Sequence, residues 1–153
     1  MNPENITFRE KTASREEIYA HLCACNRSYK PPLNEKVDIL EYSNKLFEKS
    51  VTFEAWSGES LIGLVAAYLD DAGDFGYISN VSVTAEFRGK SIAKVLIEMC
   101  LNRSREKNIH EIRLEVSRDS IQAVELYKKL GFKELGSSGN SVSMKLRLDG
   151  IQG

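Results

Sequence analysis

NVSVTAEFRGKSIAKVL, residues Asn80 to Leu96, changes its hydrophobic period part-way along. Val81 and Val83 alternate with Ser82 as a strand does, whereas Ile92, Val95, Leu96 and Met99 recur at the three-to-four spacing of a helical face. Arg88-Gly89-Lys90-Ser91 lies between the two patterns. A helix that begins straight after a strand turns its free backbone N–H groups toward the strand's carboxyl end, which makes a place for an anion such as a phosphate.

Upstream of this stretch, Ile6 to Arg9 reads as an opening strand, and Ser14 with Glu17 has the spacing of a capping box for a helix running to about Arg27. Tyr29-Lys30-Pro31-Pro32 stops that helix. Asn34 is the expected cap of a second helix, with Val37, Leu40 and Phe47 on one face and Ile39, Tyr42 and Leu46 alongside. Val51 to Trp56 alternates, Ser57-Gly58-Glu59 turns, and Leu61 to Leu69 is a nearly continuous apolar strand suited to the middle of a sheet. Asp70 to Asp74 makes the next turn before a strand over Phe75 to Val83.

Downstream, the helix should run from about Ser91 to Lys107 and end at Asn108, followed by a strand over Ile109 to Val116. Strand, helix, strand implies a parallel pair at this point. Asp119 with Gln122 has capping-box spacing before a helix carrying Ala123, Val124, Tyr127 and Leu130, which Gly131 closes. Phe132 to Leu135 and Val142 to Leu148 read as a last strand pair, and 149–153 as a frayed tail.

A chain of 153 residues fits one domain spanning 1–153, folded over 1–148, that buries roughly two-thirds of its unfolded surface. With 42% hydrophobic and 28% charged residues it falls in the ordinary globular class. A net charge of -1 gives no general attraction to nucleic acid or to an anionic membrane. Cys23, Cys25 and Cys100 make neither an even disulfide set nor a two-pair zinc pattern, so they read as reduced structural thiols and no metal site is expected. The first residues have no apolar core of a signal peptide, and no apolar run is long enough for a bilayer, which points to a cytoplasmic protein.

Gly89-Lys90-Ser91 is half of a P-loop, but the position five before it is Thr84 where that motif needs glycine. The remaining readings are a single tight turn of amides that holds a pyrophosphate, or an ordinary strand-to-helix turn. RGKSIA followed about thirty residues later by AVELYKKLGF resembles the GNAT superfamily of N-acetyltransferases, over roughly Leu61 to Phe132. The resemblance implies an α/β fold with a mixed, mostly antiparallel central sheet of six to seven strands, flanked by about four helices. It further implies a parallel strand pair splayed at a cofactor cleft.

By that resemblance acetyl-CoA is the cofactor, its pantetheine arm paired to the backbone of Val81, Ser82 and Val83, its pyrophosphate held at Arg88, Gly89, Lys90, Ser91, Ile92 and Ala93. Ser91 stands where the family has glycine and Ser120 where it has asparagine, so Ser120 reaches the cofactor arm less far. Tyr127 takes the place of the tyrosine that protonates the departing thiolate; by periodicity alone it reads as a packed helix residue, and the Gly131-Phe132 context favours the acid. Glu115 is a candidate general base, or a solvated strand glutamate paired with Arg113 or a helix lysine; Asn80 and Tyr77 could serve proton removal through water. His21 reads as a surface residue of the first helix, the alternative being a substrate contact, since by the resemblance that helix helps to wall the acceptor site.

The implied reaction is direct attack of an amine on the thioester through a tetrahedral intermediate, the acceptor a small-molecule amine. A protein N-terminus or lysine, or a non-catalytic acyl-CoA-binding role, are the alternatives. Tyr29, the Lys30 to Pro32 loop, Tyr42, Trp56 and Tyr68 are candidates to line the acceptor pocket. Homodimers are common in the resembled family.

Overall fold

The computed structural model describes residues 5–70 and 75–148, so the tail expected over 149–153 and most of the turn expected over Asp70 to Asp74 lie outside the described residues. Seven strands among the described residues form one sheet: β1 (Ile6–Glu10), β2 (Val51–Ser57), β3 (Ser60–Tyr68), β4 (Gly76–Val83), β5 (Glu111–Ser117), β6 (Lys133–Ser138) and β7 (Ser141–Arg147). Their order is β1-β2-β3-β4-β5-β7-β6, and only β4 and β5 pair in parallel. Four α-helices among the described residues accompany the sheet: α1 (Arg15–Cys25), α2 (Ile39–Lys49), α3 (Ile92–Glu106) and α4 (Ile121–Lys129). The mixed, mostly antiparallel α/β architecture implied by the sequence is the one observed. No helix among the described residues is long and apolar enough to cross a membrane.

Alternation of apolar side chains along the central strands feeds two cores, one on each face of the sheet. Ile18 and Leu22 of α1 and Leu46 of α2 pack with Leu64 and Ala66 on one face. Leu96, Ile97 and Cys100 of α3 pack with Phe53, Val65 and Ile112 on the other. Full burial of one leucine or isoleucine stabilises by about 1.5–3 kcal/mol, so these contacts clamp β3 from both sides.

The helix ends show where local rules sufficed. Ser14 and Glu17 form the expected capping box, each side chain bonding the other's backbone N–H. The second helix departs from expectation: Asp38, not Asn34, is its cap, its carboxylate accepting from the Glu41 N–H at 3.0 Å. Leu33 is buried and holds Asn34 in a short 3-10 turn, and the acid suits the positive end of the helix dipole. Leu40 consequently lies 55% exposed, because Ile39, Tyr42, Ser43 and Leu46 form the inward stripe. Asp119 and Gln122 make no capping box either; the Asp119 carboxylate accepts from Asn140 Nδ2 at 2.7 Å across the β6–β7 turn. That turn is shorter than expected, only Gly139 and Asn140, since a register shift near Leu135 lets β6 continue to Ser138.

Two features of β4 position the site. Ala66 pairs with Asn80 and Ala67 with Ile78, leaving Ser79 as an extra, bulged residue. A bulge shifts the alternation by one. Ile78, Val81 and Val83 therefore share the α3 core although their numbers differ in parity, and Asn80 and Ser82 bury on the α1 side. At the other end of β4, a Cβ on Gly76 would meet Ile112 Cδ1 at 2.7 Å and Leu69 Cδ2 at 2.8 Å, so any larger residue there would have to displace the ends of both side chains.

Candidate active site

β4 and β5 pair at Gly76 with Ile112, Tyr77 with Arg113 and Ile78 with Leu114, and then part. From Ser79 to Val83 the β5-facing edge of β4 has no strand partner, and a cavity of 1130 Å³ opens between the strands. Val81, Ser82 and Val83 line it from β4, Glu115 from β5, Ser120 and Tyr127 from α4, and Tyr29 from the loop after α1.

Arg88 also lines this cavity, tied by its Nε to the Val83 carbonyl at 3.1 Å and by its other end to the Ser28 hydroxyl. The residues after it form the turn into α3 rather than the cavity wall. Gly89 has φ +79° and Ser91 φ +63°, both left-handed, and Ser91 caps α3 without any side-chain hydrogen bond. The backbone N–H groups of the first turn of α3, at Ile92 and Ala93, are therefore left for another partner. The Ile92 side chain itself is 4% exposed and belongs to the core. Lys90 lines a separate cavity of 740 Å³ with Thr84 and Phe87.

Tyr127 is 5% exposed, its ring 5.8 Å from that of Phe132, and burial pushes its phenol well above the ordinary value, with a further rise from Tyr29 nearby. It thus remains a proton carrier at every ordinary pH. Glu115 is exposed on the cavity wall, and Arg113 pairs with Glu111 and stacks on Phe75 rather than pairing with Glu115. Burial, followed by the charge of Glu115, raises the Tyr77 phenol.

Among the expected acceptor-side residues, Tyr29, Lys30, Pro31 and Tyr42 line the cavity. Trp56 and Tyr68 do not. Trp56 is buried in the α1 core with its Nε1 donating to Glu54 Oε1 at 3.1 Å, and Tyr68 packs against that same core. Both share the α1–α2 face of the sheet with Tyr29 and Tyr42 but lie outside the cavity lining.

His21 is the largest correction. It is 3% exposed, with Nδ1 3.1 Å from the Leu61 carbonyl and Nε2 2.8 Å from Ser82 Oγ. Ser82 Oγ is 2.9 Å from Asn80 Oδ1, and Asn80 Nδ2 is 2.7 Å from the Tyr29 hydroxyl. Burial lowers the His21 pKa to about 4 against weaker opposing bonds to Leu61 and Ser82. A polar line therefore runs from β3 to the cleft through three elements. Its only sequence signal is Asn80 and Ser82 standing at alternate positions of a strand that is otherwise apolar.

The acetyltransferase (GNAT) family matches residues 15–132, and the chain belongs to that family. Among relatives, the N-acetylaspartate synthetase of Mus musculus is 32% identical over 130 residues, covering 84% of this chain and 41% of the mouse protein. The N-alpha-acetyltransferase 30 of Saccharomyces cerevisiae is 35% identical over 57 residues, 37% of this chain and 32% of the yeast protein. The chain thus spans less than half the length of these relatives. In structure it is similar to the PaiA N-acetyltransferase of Thermoplasma acidophilum, solved in complex with coenzyme A, with a TM-score of 0.72 and 18% identity over 92% of this chain and 99% of that one.

Proposed function

We propose that the chain is an acetyl-CoA-dependent N-acetyltransferase whose acceptor is the primary amine of a small molecule, an amino acid being the favoured class. The observation that carries this reading is the parting of β4 from β5 after Ile78 and Leu114, which leaves a strand edge bare and ends at a helix start whose N–H groups lack a cap. A pantetheine arm carries amides that can pair with that edge, and a pyrophosphate suits the helix start with Arg88 beside it. The residues present fit the cofactor on both counts.

When bound, acetyl-CoA supplies an activated acetyl thioester. The backbone of Val81 to Val83 orients the arm in the manner of an added strand. A backbone N–H near Val81 or Ser82 stabilises negative charge on the acetyl oxygen. Tyr127, lining the cleft and holding its proton, delivers it to the leaving sulfur. Glu115, lining the cleft from β5, takes the proton that the amine loses, directly or through water. Ser120 at the start of α4 makes no cap bond, so its hydroxyl remains available to the arm.

The amino acid preference rests on two supports: the mouse relative is named for an acetylated amino acid, and Lys30 and Lys36 at the acceptor side suit a carboxylate. The test is release of coenzyme A across a panel of amino acids, amino sugars, polyamines and peptide N-termini. Turnover highest for amino acids supports the reading. Turnover confined to peptides moves the acceptor to a protein N-terminus, as the name of the yeast relative would have it, and no turnover with any amine defeats the catalytic reading.

A further inference from the structure

The line from His21 to Tyr29 has a direction, and donor and acceptor counting fixes it. A carbonyl oxygen only accepts, so the His21 Nδ1 that faces the Leu61 carbonyl at 3.1 Å carries a hydrogen. His21 is buried with no carboxylate in contact, which keeps the ring neutral and leaves Nε2 as a bare acceptor. Two groups can donate to it: the Ser82 hydroxyl at 2.8 Å and, more weakly, the Cys25 thiol at 3.7 Å. Ser82 has a single hydrogen, and Nε2 claims it.

The Asn80 amide then has to donate at the end nearest Ser82. The two ends of an amide share one shape, and their partners decide which is oxygen. As placed, the amide has Oδ1 toward Ser82 and Nδ2 toward Tyr29; exchanging the two ends, as the Ser82 hydrogen requires, puts NH2 toward Ser82, and the oxygen then takes the phenolic hydrogen across the 2.7 Å contact. What Tyr29 shows the cavity is then a hydroxyl oxygen with free lone pairs. An imidazolium at His21 would reverse every bond in the line and turn the Tyr29 hydrogen toward the cavity.

The difference matters for a nucleophile. An attacking amine needs its lone pair free for the thioester carbon, so its N–H groups want acceptors. A phenol that accepts from N–H holds the amine without touching that lone pair, whereas a phenol that donates would occupy it. We propose that His21 is a positioning residue for the acceptor amine, fixing through Ser82 and Asn80 the direction of the Tyr29 hydroxyl so that its oxygen accepts a hydrogen bond from the amine N–H in the cleft. This rests on the acetyltransferase reading and adds to it a polarity that the cleft residues alone do not set.

The experiment pairs a spectroscopic reading with kinetics. Nitrogen-15 NMR of the His21 ring in the unliganded protein reports the tautomer at neutral pH without any turnover. Tyr29→Phe, His21→Leu and the double variant are then compared with the unaltered protein on the best amine of the panel, with His21→Gln as the variant that keeps an acceptor for Ser82. The expected result is a hydrogen on Nδ1 and none on Nε2. With it go about a tenfold loss in kcat/KM for the amine in each leucine or phenylalanine variant, an unchanged KM for acetyl-CoA, a double variant no worse than the poorer single, and partial recovery with glutamine. A hydrogen on Nε2, losses that multiply in the double variant, or a KM for acetyl-CoA that rises in step would overturn the proposal. Absence of turnover in the unaltered protein would instead remove the acetyltransferase reading, and the role of Tyr29 with it, whatever the tautomer.

Discussion

The Tyr42 hydroxyl donates to the Ser79 carbonyl at 3.0 Å and lies 2.6 Å from the Ser79 hydroxyl, so α2 grips the one residue by which β4 exceeds β3. The bulge turns Asn80 and Ser82 toward α1, and just beyond it β4 leaves β5. Tyr42→Phe keeps the ring and removes the grip. A loss of about 1 kcal/mol in stability is expected, read from the denaturant midpoint, together with a several-fold weaker hold on coenzyme A. Full affinity in a destabilised variant would separate the bulge from the cleft.

Ser91 occupies a left-handed conformation in which a side chain is strained, at the place where the family usually has glycine. Relief of that strain should outweigh the extra freedom of the unfolded glycine chain. Ser91→Gly is expected to raise stability by about 0.5 kcal/mol and to leave coenzyme A binding intact or tighter. A lower melting temperature, or weaker binding, would show that the serine hydroxyl holds the pyrophosphate itself.

Tyr127→Phe retains the ring against Phe132 and deletes the proton. We expect kcat to fall about a hundredfold while the KM for acetyl-CoA stays within a few-fold of the original. Steady-state kinetics separates the two quantities, and an unchanged kcat removes Tyr127 from the chemistry.

Stability should depend on pH through His21, whose folded pKa of about 4 lies below the ordinary 6.5. The neutral ring is the one the fold accommodates, so its contribution is complete above pH 6.5 and is lost as the pH falls from there toward 4. Holding the ring neutral down to that pH corresponds to about 3 kcal/mol. The groups facing the ring are Cys25 on its own helix, Ser82 on β4 and the Leu61 carbonyl on β3, none of which titrates in that window. Denaturant midpoints between pH 7 and 4 should flatten in His21→Gln.

Glu54 acts lower on the scale. Burial alone would raise its carboxyl, but donors from Thr12, Thr52, the Ala13 N–H and Trp56 outweigh burial and hold it below the usual range. Its contribution is present above the unfolded pKa and disappears as the pH falls through the folded one, beneath the His21 window. Glu54→Gln should destabilise the protein at neutral pH and reduce the loss seen in acid.

Much of the fold could be read along the chain because local rules governed it. The change of period across Asn80 to Leu96, the Ser14 and Glu17 box and the glycine turns each depend on near neighbours, and the parallel pair follows from the order of elements. The failures all involve residues distant in sequence. Nothing close to Asn34 says that Leu33 will be buried, and nothing close to Asp119 announces Asn140. His21 lies 61 positions from Ser82, and the bulge that turns Ser82 toward it appears only once β4 is paired with β3. At the site, motif spacing marked the strand, the turn and Tyr127, while the polar line behind them required the fold.

The most direct test of the account is a calorimetric titration of the protein with coenzyme A, repeated on Arg88→Ala. The account predicts saturable binding to one site, weakened about tenfold or more by the loss of the arginine charge beside the α3 turn. No heat at millimolar coenzyme A, or binding that Arg88→Ala leaves untouched, would contradict the assignment of the parted strands and that turn as the cofactor cleft.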